Sequence, residues 1–348
     1  MNSEFDVKEF DRNTSNPEEY RRLATFQNRI QAEAMPGEPP RPVEHFEAEF
    51  RHAPEAFGLR VWKVGAADDT IVALGWVAAP LLEGNLHLAQ FGIQVLPEWR
   101  RRKLGTALLR SVVDLAREKE RRLLVANTRS TVPSGEAFMA RLGAEVGLRV
   151  YRNQLKIEDV DRDLLRRWQE QARERASEFR LGLWEGRYPE DQIDAILELR
   201  KALNSMPTGD LDVGDLESWT ADQLREFDDA LEARGDDRWT MYAREVSTGK
   251  LVGYTEMLFT TGRPEVAEIE ATAVVEACQK RGLGRWLKAA MMDKLLRERP
   301  QVRLIRTGNA QANAPMLKIN DELGFKPLMA SAFWQLPLDL AQAYLDSQ

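Results

Sequence analysis

The order of elements spelled out in the first half of the chain recurs about 170–180 residues later, and this internal repeat constrains the fold more than any single motif. Pro17-Glu18-Glu19 opens an amphipathic helix running to about Ala34, and Pro189-Glu190-Asp191 opens another running to about Ser205. Proline in a first turn with acids beside it marks a helix start. Met35-Pro36-Gly37 follows the first helix and Met206-Pro207-Thr208 the second. Two apolar strand-like runs come next in each half, 58–64 and 70–79, then 238–244 and 250–259. A third strand, 86–95 or 266–275, meets a basic turn and a helix. The turns are Arg100-Arg101-Arg102-Lys103-Leu104-Gly105 and Gln279-Lys280-Arg281-Gly282-Leu283-Gly284. Each helix leads to a short buried strand, Leu123–Ala126 or Val302–Ile305, and then to a helix ending in Leu142-Gly143-Ala144 or Leu323-Gly324-Phe325. A final strand region is expected to close each half. Chance supplies one such pair; matched features recurring in the same order imply duplication. The expected fold class is α/β, with an α+β mixed sheet in each of two tandem domains. The expected boundaries are 1–156 and 175–348. Residues 157–174, with helical spacing at Leu164, Leu165 and Trp168, are expected to form a helical connector packed between the domains.

A chain of 348 residues has room for two cores. No run of about 18 apolar residues is present, so no membrane helix is expected. The start, Met1-Asn2-Ser3-Glu4-Phe5-Asp6, lacks the basic and apolar regions of a secretory signal, and a cytoplasmic location is expected. The single cysteine, Cys278, excludes an internal disulfide and a thiolate metal cluster, and His45, His52 and His87 are scattered, so no metal is expected. A net charge of −7 argues against nucleic acid as the main partner and suits a neutral or cationic small substrate. A monomer or a homodimer is expected.

The Gln279–Gly284 turn carries the chemistry. A glycine turn that leaves a strand and opens a helix aims several backbone N–H groups at one point, at the positive end of the helix dipole, which suits a phosphate or pyrophosphate. The bland alternative is a strand-to-helix turn with a solvated basic edge. A nucleotide-binding loop would need Gly-Lys-Ser/Thr or an acid about 20 residues on, and the chain has no Gly-Lys-Ser/Thr.

With its preceding strand, the downstream Asn309, Asn313, Met316 and Asn320, and Leu323-Gly324-Phe325, the segment Gln279-x-x-Gly282-x-Gly284 resembles the GNAT superfamily of acetyl-CoA-dependent N-acetyltransferases. In the first half Arg100 and Gly105 match, but Lys103 replaces the first glycine. The two copies cover nearly the whole chain, and the tandem plan resembles mycothiol synthase-like proteins, whose pattern places catalysis in the C-terminal copy.

The resemblance implies acetyl-CoA as co-substrate and a small-molecule primary amine as acceptor. The implied cofactor-binding residues are Ala273, Val274, Val275, Gln279, Lys280, Arg281, Gly282, Leu283, Gly284, Arg285, Asn309, Asn313 and Asn320. A possible second site comprises Val95, Arg100, Arg101, Arg102, Lys103, Gly105 and Thr106; the Lys103 side chain is expected to demand an ordinary backbone angle there. An acceptor ammonium must lose a proton before it attacks, and a carboxylate is a suitable base. Glu268, fourteen residues before Gly282, stands where the family's basic glutamate would. Glu270 shares its face if the strand is regular, and two such carboxylates raise each other's proton affinity. The Val274 N–H is implied as oxyanion donor, at a bulge where the strand parts from its neighbour. Many relatives place a tyrosine at the position of Asn320 to protonate the leaving thiolate, and an amide cannot transfer a proton. Tyr242 and Tyr254 are the alternatives, or the thiolate leaves unprotonated. Asn313 fits two roles, a helix cap or a donor to the pantetheine arm.

In the first half, Ala89 is aligned with Glu268, so that half is expected to be a scaffold or a relic. For the acceptor, the acidic loop Thr208–Glu217 and Trp219, Trp239 and Trp334 are candidate linings, against the readings of solvated loop and core. An acyl-CoA-binding sensor without turnover, or transfer of a different acyl group, are the rival functions.

Overall fold

The computed structural model describes residues 5–348, so the reading of Met1–Glu4 lies outside the described residues. The elements in chain order are β1 (Val7–Glu9), α1 (Pro17–Ala34), α2 (Val43–Arg51), β2 (Arg60–Gly65), β3 (Ile71–Ala78), β4 (Leu88–Val95), α3 (Leu104–Glu118), β5 (Leu123–Arg129), α4 (Pro133–Arg141) and β6 (Glu145–Lys156). Then follow α5 (Arg162–Arg175), β7 (Phe179–Glu185), α6 (Ile193–Arg200), α7 (Ala221–Ala233), β8 (Asp237–Glu245), β9 (Leu251–Phe259), β10 (Val266–Val274), α8 (Leu283–Glu298), β11 (Leu304–Ala310), α9 (Ala314–Glu322), β12 (Lys326–Pro337) and α10 (Leu338–Asp346). Among the described residues no helix is long and apolar enough to cross a membrane.

The chain forms two compact units. Unit 1 runs up to Arg149 and adds Thr208–Gly214 and Ala330–Gln348. Its strands pair in the order β1-β2-β3-β4-β5-β12, antiparallel except for β4 and β5. Unit 2 comprises Val150–Pro207 and Asp215–Met329. Its strands pair in the order β7-β8-β9-β10-β11-β6, antiparallel except for β10 and β11. The strands of the two units follow one topology, as the repeat predicts.

The boundaries 1–156 and 175–348 are not those of the compact units. Each unit takes its last strand from the other half of the chain: Ser331–Pro337 pairs with β5 in unit 1, and Val150–Lys156 pairs with β11 in unit 2. The final strands therefore do not close their own halves. Duplicated strands carry equivalent patterns, so periodicity cannot say which copy accepts which strand. Side chains lock the exchange: the Trp334 indole donates to Thr128 Oγ1 at 2.8 Å in unit 1, and Arg306 Nε donates to Gln154 Oε1 at 2.9 Å in unit 2. The expected connector is a helix, α5, but it buries Leu165, Trp168 and Ala172 in the core of unit 2 alongside α8 residues.

Local chemistry sets the ends of the elements that matter. Asn16 caps α1 by accepting from Glu18 and Glu19 N–H, and Glu19 returns a bond to the Asn16 N–H. Helix α8 opens on Gly282 at φ 85°, where an added Cβ would touch nothing within 4 Å. Leu283, Leu287, Met291, Met292 and Leu295 then bury one face of α8 in the core of unit 2.

Candidate active site

The parallel pair of unit 2 is hydrogen-bonded over only part of its length. Val266–Ile269 pairs with Leu304–Thr307, and no pairing continues beyond. At that point β10 slips register against β9: Ile269 faces Met257, Ala271 faces Glu256, and Glu270 is the extra residue. A bulge of this kind bends its strand and re-aims the extra side chain. The opening between the parting strands is a cleft of about 440 Å³, including space open to solvent. Ile269, Glu270, Ala271 and Thr272 line one wall, Thr307, Gly308, Asn309 and Ala310 the other, and Lys288, Asn313, Met316 and Met206 complete it.

Only Glu270 and Lys288 bring ionisable side chains to this lining. Glu270 reaches solvent through the mouth of the cleft, yet protein crowds its carboxylate, and this partial dehydration is the main force pushing its pKa up to about 7. The neighbouring Glu268 carboxylate adds to the effect, and Arg152 opposes it. Lys288 is 1% exposed, and burial drives its pKa down to about 7. Its Nζ donates to Asn320 Oδ1 at 2.9 Å, and Asn320 Nδ2 donates to Asn309 Oδ1.

The structure separates the two expected carboxylates. The bulge breaks the alternation that would have put them on one face. Glu268 accepts from Arg152 Nη2 at 2.6 Å and is absent from the cleft lining, while Glu270 faces into it. The bulge also lies at Glu270 and not at Val274, which pairs regularly with Gly253. Val275 N–H is committed to Val252 O at 2.9 Å, and the Val274 carbonyl accepts from Gln279 Nε2 at 3.1 Å. Ala273 is buried and pairs with Tyr254.

The turn after β10 keeps its expected form. Trp286 N–H is bonded back to Gly282 O at 3.0 Å; Leu283, Gly284 and Arg285 precede it in the first turn, where N–H groups lack carbonyl partners within the helix. The added positive charge is smaller than the sequence implies. Arg281 pairs with Glu178 at 2.8 Å, Arg285 binds Glu322 through two bonds of 2.9 and 2.8 Å, and Lys280 is exposed. Asn313 caps α9, accepting from Met316 N–H at 3.3 Å.

In unit 1 the turn has the same backbone. Lys103 sits at φ 63° as Gly282 sits at 85°, and Arg101 at 64° as Lys280 at 62°. The expectation that Lys103 would impose an ordinary angle is therefore wrong; the left-handed well near +60° is costly but open to a side chain. Arg100 Nε donates to Val95 O at 3.1 Å, as Gln279 does to Val274, but the Arg100 guanidinium is bound to Glu33. Arg101, Arg102 and Lys103 are exposed, with Arg102 lying over Trp99, while Gly105 and the buried Thr106 begin α3.

Other expected linings belong elsewhere. Thr208–Gly214 belongs to unit 1, where Asp212 meets His87 and Arg122, and Glu217 in unit 2 is held by Arg200 at 2.7 Å. Trp239 packs edge-on to Phe259 in the core of unit 2, Trp334 is core in unit 1, and Trp219 packs edge-on to Phe227. Cys278 is buried, and burial pushes its thiol pKa up. Sequence reasoning missed Lys288. Its signal was a lysine on the apolar stripe of α8, in step with Gly284, Met291 and Leu295.

The profile of the Acetyltransferase (GNAT) family matches the chain twice, over residues 23–144 and 196–325. No curated protein sequence matches it. Among solved structures the chain is similar to a tandem GNAT protein from the clavulanic acid biosynthesis pathway, at 25% identity and TM-score 0.76, covering 96% of this chain and 99% of that one. It is also similar in fold to a GCN5-related N-acetyltransferase from Sphaerobacter thermophilus, at 14% identity and TM-score 0.67, with 96% of each chain covered.

Proposed function

Because the chain belongs to the Acetyltransferase (GNAT) family, we propose that it transfers an acetyl group from acetyl-CoA directly to a primary amine of a small molecule, with the chemistry in unit 2. Membership makes it an acyltransferase of a family that uses acyl-CoA. The acetyl group, the amine and the catalytic unit are the finer reading.

The residues of unit 2 fit the co-substrate. The side-chain-free Gly282 and the first N–H groups of α8 offer a cradle for a pyrophosphate at the positive end of a helix of 16 residues. Leu283–Arg285 would hold it, and the cleft between β10 and β11 would take the acyl end. Bound there, acetyl-CoA supplies an activated acyl carbon. Glu270 carries the reading: it is the one carboxylate on the cleft wall, placed there by a bulge, with a proton affinity suited to a base at neutral pH. Its carboxylate takes the proton of the incoming ammonium, which frees the nitrogen lone pair. Arg152 holds Glu268 next to the bulge, where its negative charge adds to the larger effect of burial in raising the proton affinity of Glu270.

The test is release of coenzyme A thiol from acetyl-CoA against a panel of primary amines, comparing wild type with Glu270→Gln. Turnover by the wild type that Glu270→Gln loses is the expected result. Tight acetyl-CoA binding without turnover on any amine would replace this reading with that of a sensor.

A further inference from the structure

The helix that opens on the glycine turn also delivers an amine to the cleft. Lys288 lies four residues after Gly284, about 6 Å further along the axis of α8. It lines the same cleft as Glu270 and is otherwise buried; its hydrogen bond goes to a neutral amide, Asn320 Oδ1 at 2.9 Å, and the Phe325 ring centre lies 5.9 Å from its Nζ, but no carboxylate among the described residues meets it. A lysine kept for structure looks different on this same helix: Lys294, less deeply buried at 8% exposed, is matched by the carboxylates of Glu185 and Glu298. Burying an amine without a counter-charge is costly and needs another reason. The other proposed acids are out of reach. The Asn320 amide is too weak an acid to transfer a proton, and neither Tyr242, stacked on Trp184, nor Tyr254, fully buried in the cluster beside α6, lines the cleft.

We infer that Lys288 is the proton donor to the sulfur that departs from the acyl group, held in position by the Asn320–Asn309 pair. The inference rests on the acetyl-transfer reading of unit 2. In the step, the incoming ammonium gives one proton to Glu270, its nitrogen bonds the acyl carbon, and the carbon–sulfur bond breaks. The Lys288 ammonium protonates the sulfur. The second proton shed by the nitrogen and the one held by Glu270 then restore Lys288 and leave one proton for solvent. Ammonium and thioester become amide, thiol and one released proton. Burial places the Lys288 amine near neutrality, where it both gives and regains a proton, and Glu270 is the one charged group sharing its cleft.

The first readout needs no acceptor. Free coenzyme A bound to the protein is titrated by the ultraviolet absorbance of its thiolate. An ammonium beside the sulfur favours the thiolate, so the thiol bound to wild type should ionise about 1 pH unit or more below that bound to Lys288→Met. Equal ionisation in the two proteins overturns the inference. The second readout is leaving-group dependence, with the amine that wild type acetylates fastest. Lys288→Met should lose about 100-fold in kcat with acetyl-CoA but less than about ten-fold with the acetyl thioester of 4-nitrothiophenol, whose thiolate leaves without a proton. Equal losses with both donors mean that the lysine is structural. Replacing a desolvated amine by a thioether should raise the thermal midpoint; if Lys288→Met fails to fold, Lys288→Gln keeps a donor for Asn320 without a transferable proton and gives the same readouts. Failure of the transfer reading shows separately, as wild type without turnover on any amine.

Discussion

Strand β4 crosses unit 1 in eight residues, and β10 crosses unit 2 in nine. Both strands are anchored alike. Leu88 starts the parallel pairing with Leu123 as Val266 does with Leu304, and Leu96 N–H closes on Val72 O as Val275 N–H does on Val252 O. Between those anchors unit 2 holds one residue more, and the register slip identifies it as Glu270. Glu270 therefore has no counterpart in unit 1. The expected alignment of Ala89 with Glu268 shifts by one: Gln90 faces Val125 as Glu268 faces Arg306. The next pair diverges too. Across from Ala271 stands Glu256, tied to Tyr188, Thr240 and Arg200; across from Gly92 stands Trp76, whose indole lies where a Cβ at residue 92 would be. One insertion thus separates a strand with a carboxylate in an open cleft from one closed over by an aromatic ring.

The sharpest way to break this comparison is Glu270→Gln. It should lower kcat by about 100- to 1000-fold in the coenzyme A release assay, the usual worth of a positioned base. In wild type the rate should rise with pH through about 7 as the carboxylate loses its proton, and the variant should lack that limb. Stability follows the same linkage. The folded carboxyl binds its proton more tightly than the unfolded one, so its stabilising contribution is present at low pH and is lost as pH rises through about 7. Glu270→Gln should therefore melt higher than wild type above neutrality. Loss of activity with an unchanged pH profile would show that the base lies elsewhere.

The two turns give the next contrast. Gly284→Glu puts a carboxylate at the N-terminus of α8, and the KM for acetyl-CoA should rise by about 100-fold or more. Gly105→Glu, at the start of α3, should leave transfer within about two-fold. Both positions have room for a Cβ, with Ile319 at 3.7 Å and Phe138 at 3.5 Å, so neither change is decided by a clash at that atom. Equal losses from both would end the idea of a single catalytic unit.

Much of this plan is legible in the sequence because repetition and punctuation are local. Pro17 with Glu18 and Glu19 starts α1, and the turns at 100–105 and 279–284 fall between strand and helix where the pattern puts them. Three things were not legible. Strand exchange depends on which of two equivalent edges a strand meets, and no local pattern encodes that. The bulge depends on register between distant strands, so counting by twos along 268–270 predicts one face where the structure has two. The left-handed Lys103 is invisible because a side chain at that position is merely disfavoured, and the rest of the turn imposes the angle. Lys288 was readable in principle, as a charge on an apolar stripe.

Glu268 sharpens the comparison from the other side. Its partner Arg152 comes from β6, and the pair is only partly exposed, so Glu268→Gln leaves that guanidinium without its carboxylate. The neighbouring negative charge that raises the proton affinity of Glu270 is also removed. Activity should fall about ten-fold or less, and the rising limb of the pH profile should move to lower pH. A loss as large as that of Glu270→Gln, with the limb unmoved, would return the role of base to Glu268.

The smallest effect tests whether the turns are alike in backbone as well as in sequence. Arg101 and Lys280 both lie in the left-handed region, so their cost is common to the two units and cancels in the comparison. Lys103 against Gly282 is the difference that remains. A left-handed L-residue costs about 1–2 kcal/mol, and glycine there gives back about 0.5–1 kcal/mol through the larger freedom of its unfolded chain. Lys103→Gly should therefore stabilise unit 1 by up to about 1.5 kcal/mol, read as a higher midpoint in urea unfolding. The same variant should not bring transfer to unit 1 in a protein carrying Glu270→Gln, because the added glycine improves the cradle and supplies no base. Destabilisation by Lys103→Gly would mean that the turn of unit 1 does not hold the angle it shares with Gly282, and recovered transfer would mean that one residue in β10 is not what separates the units.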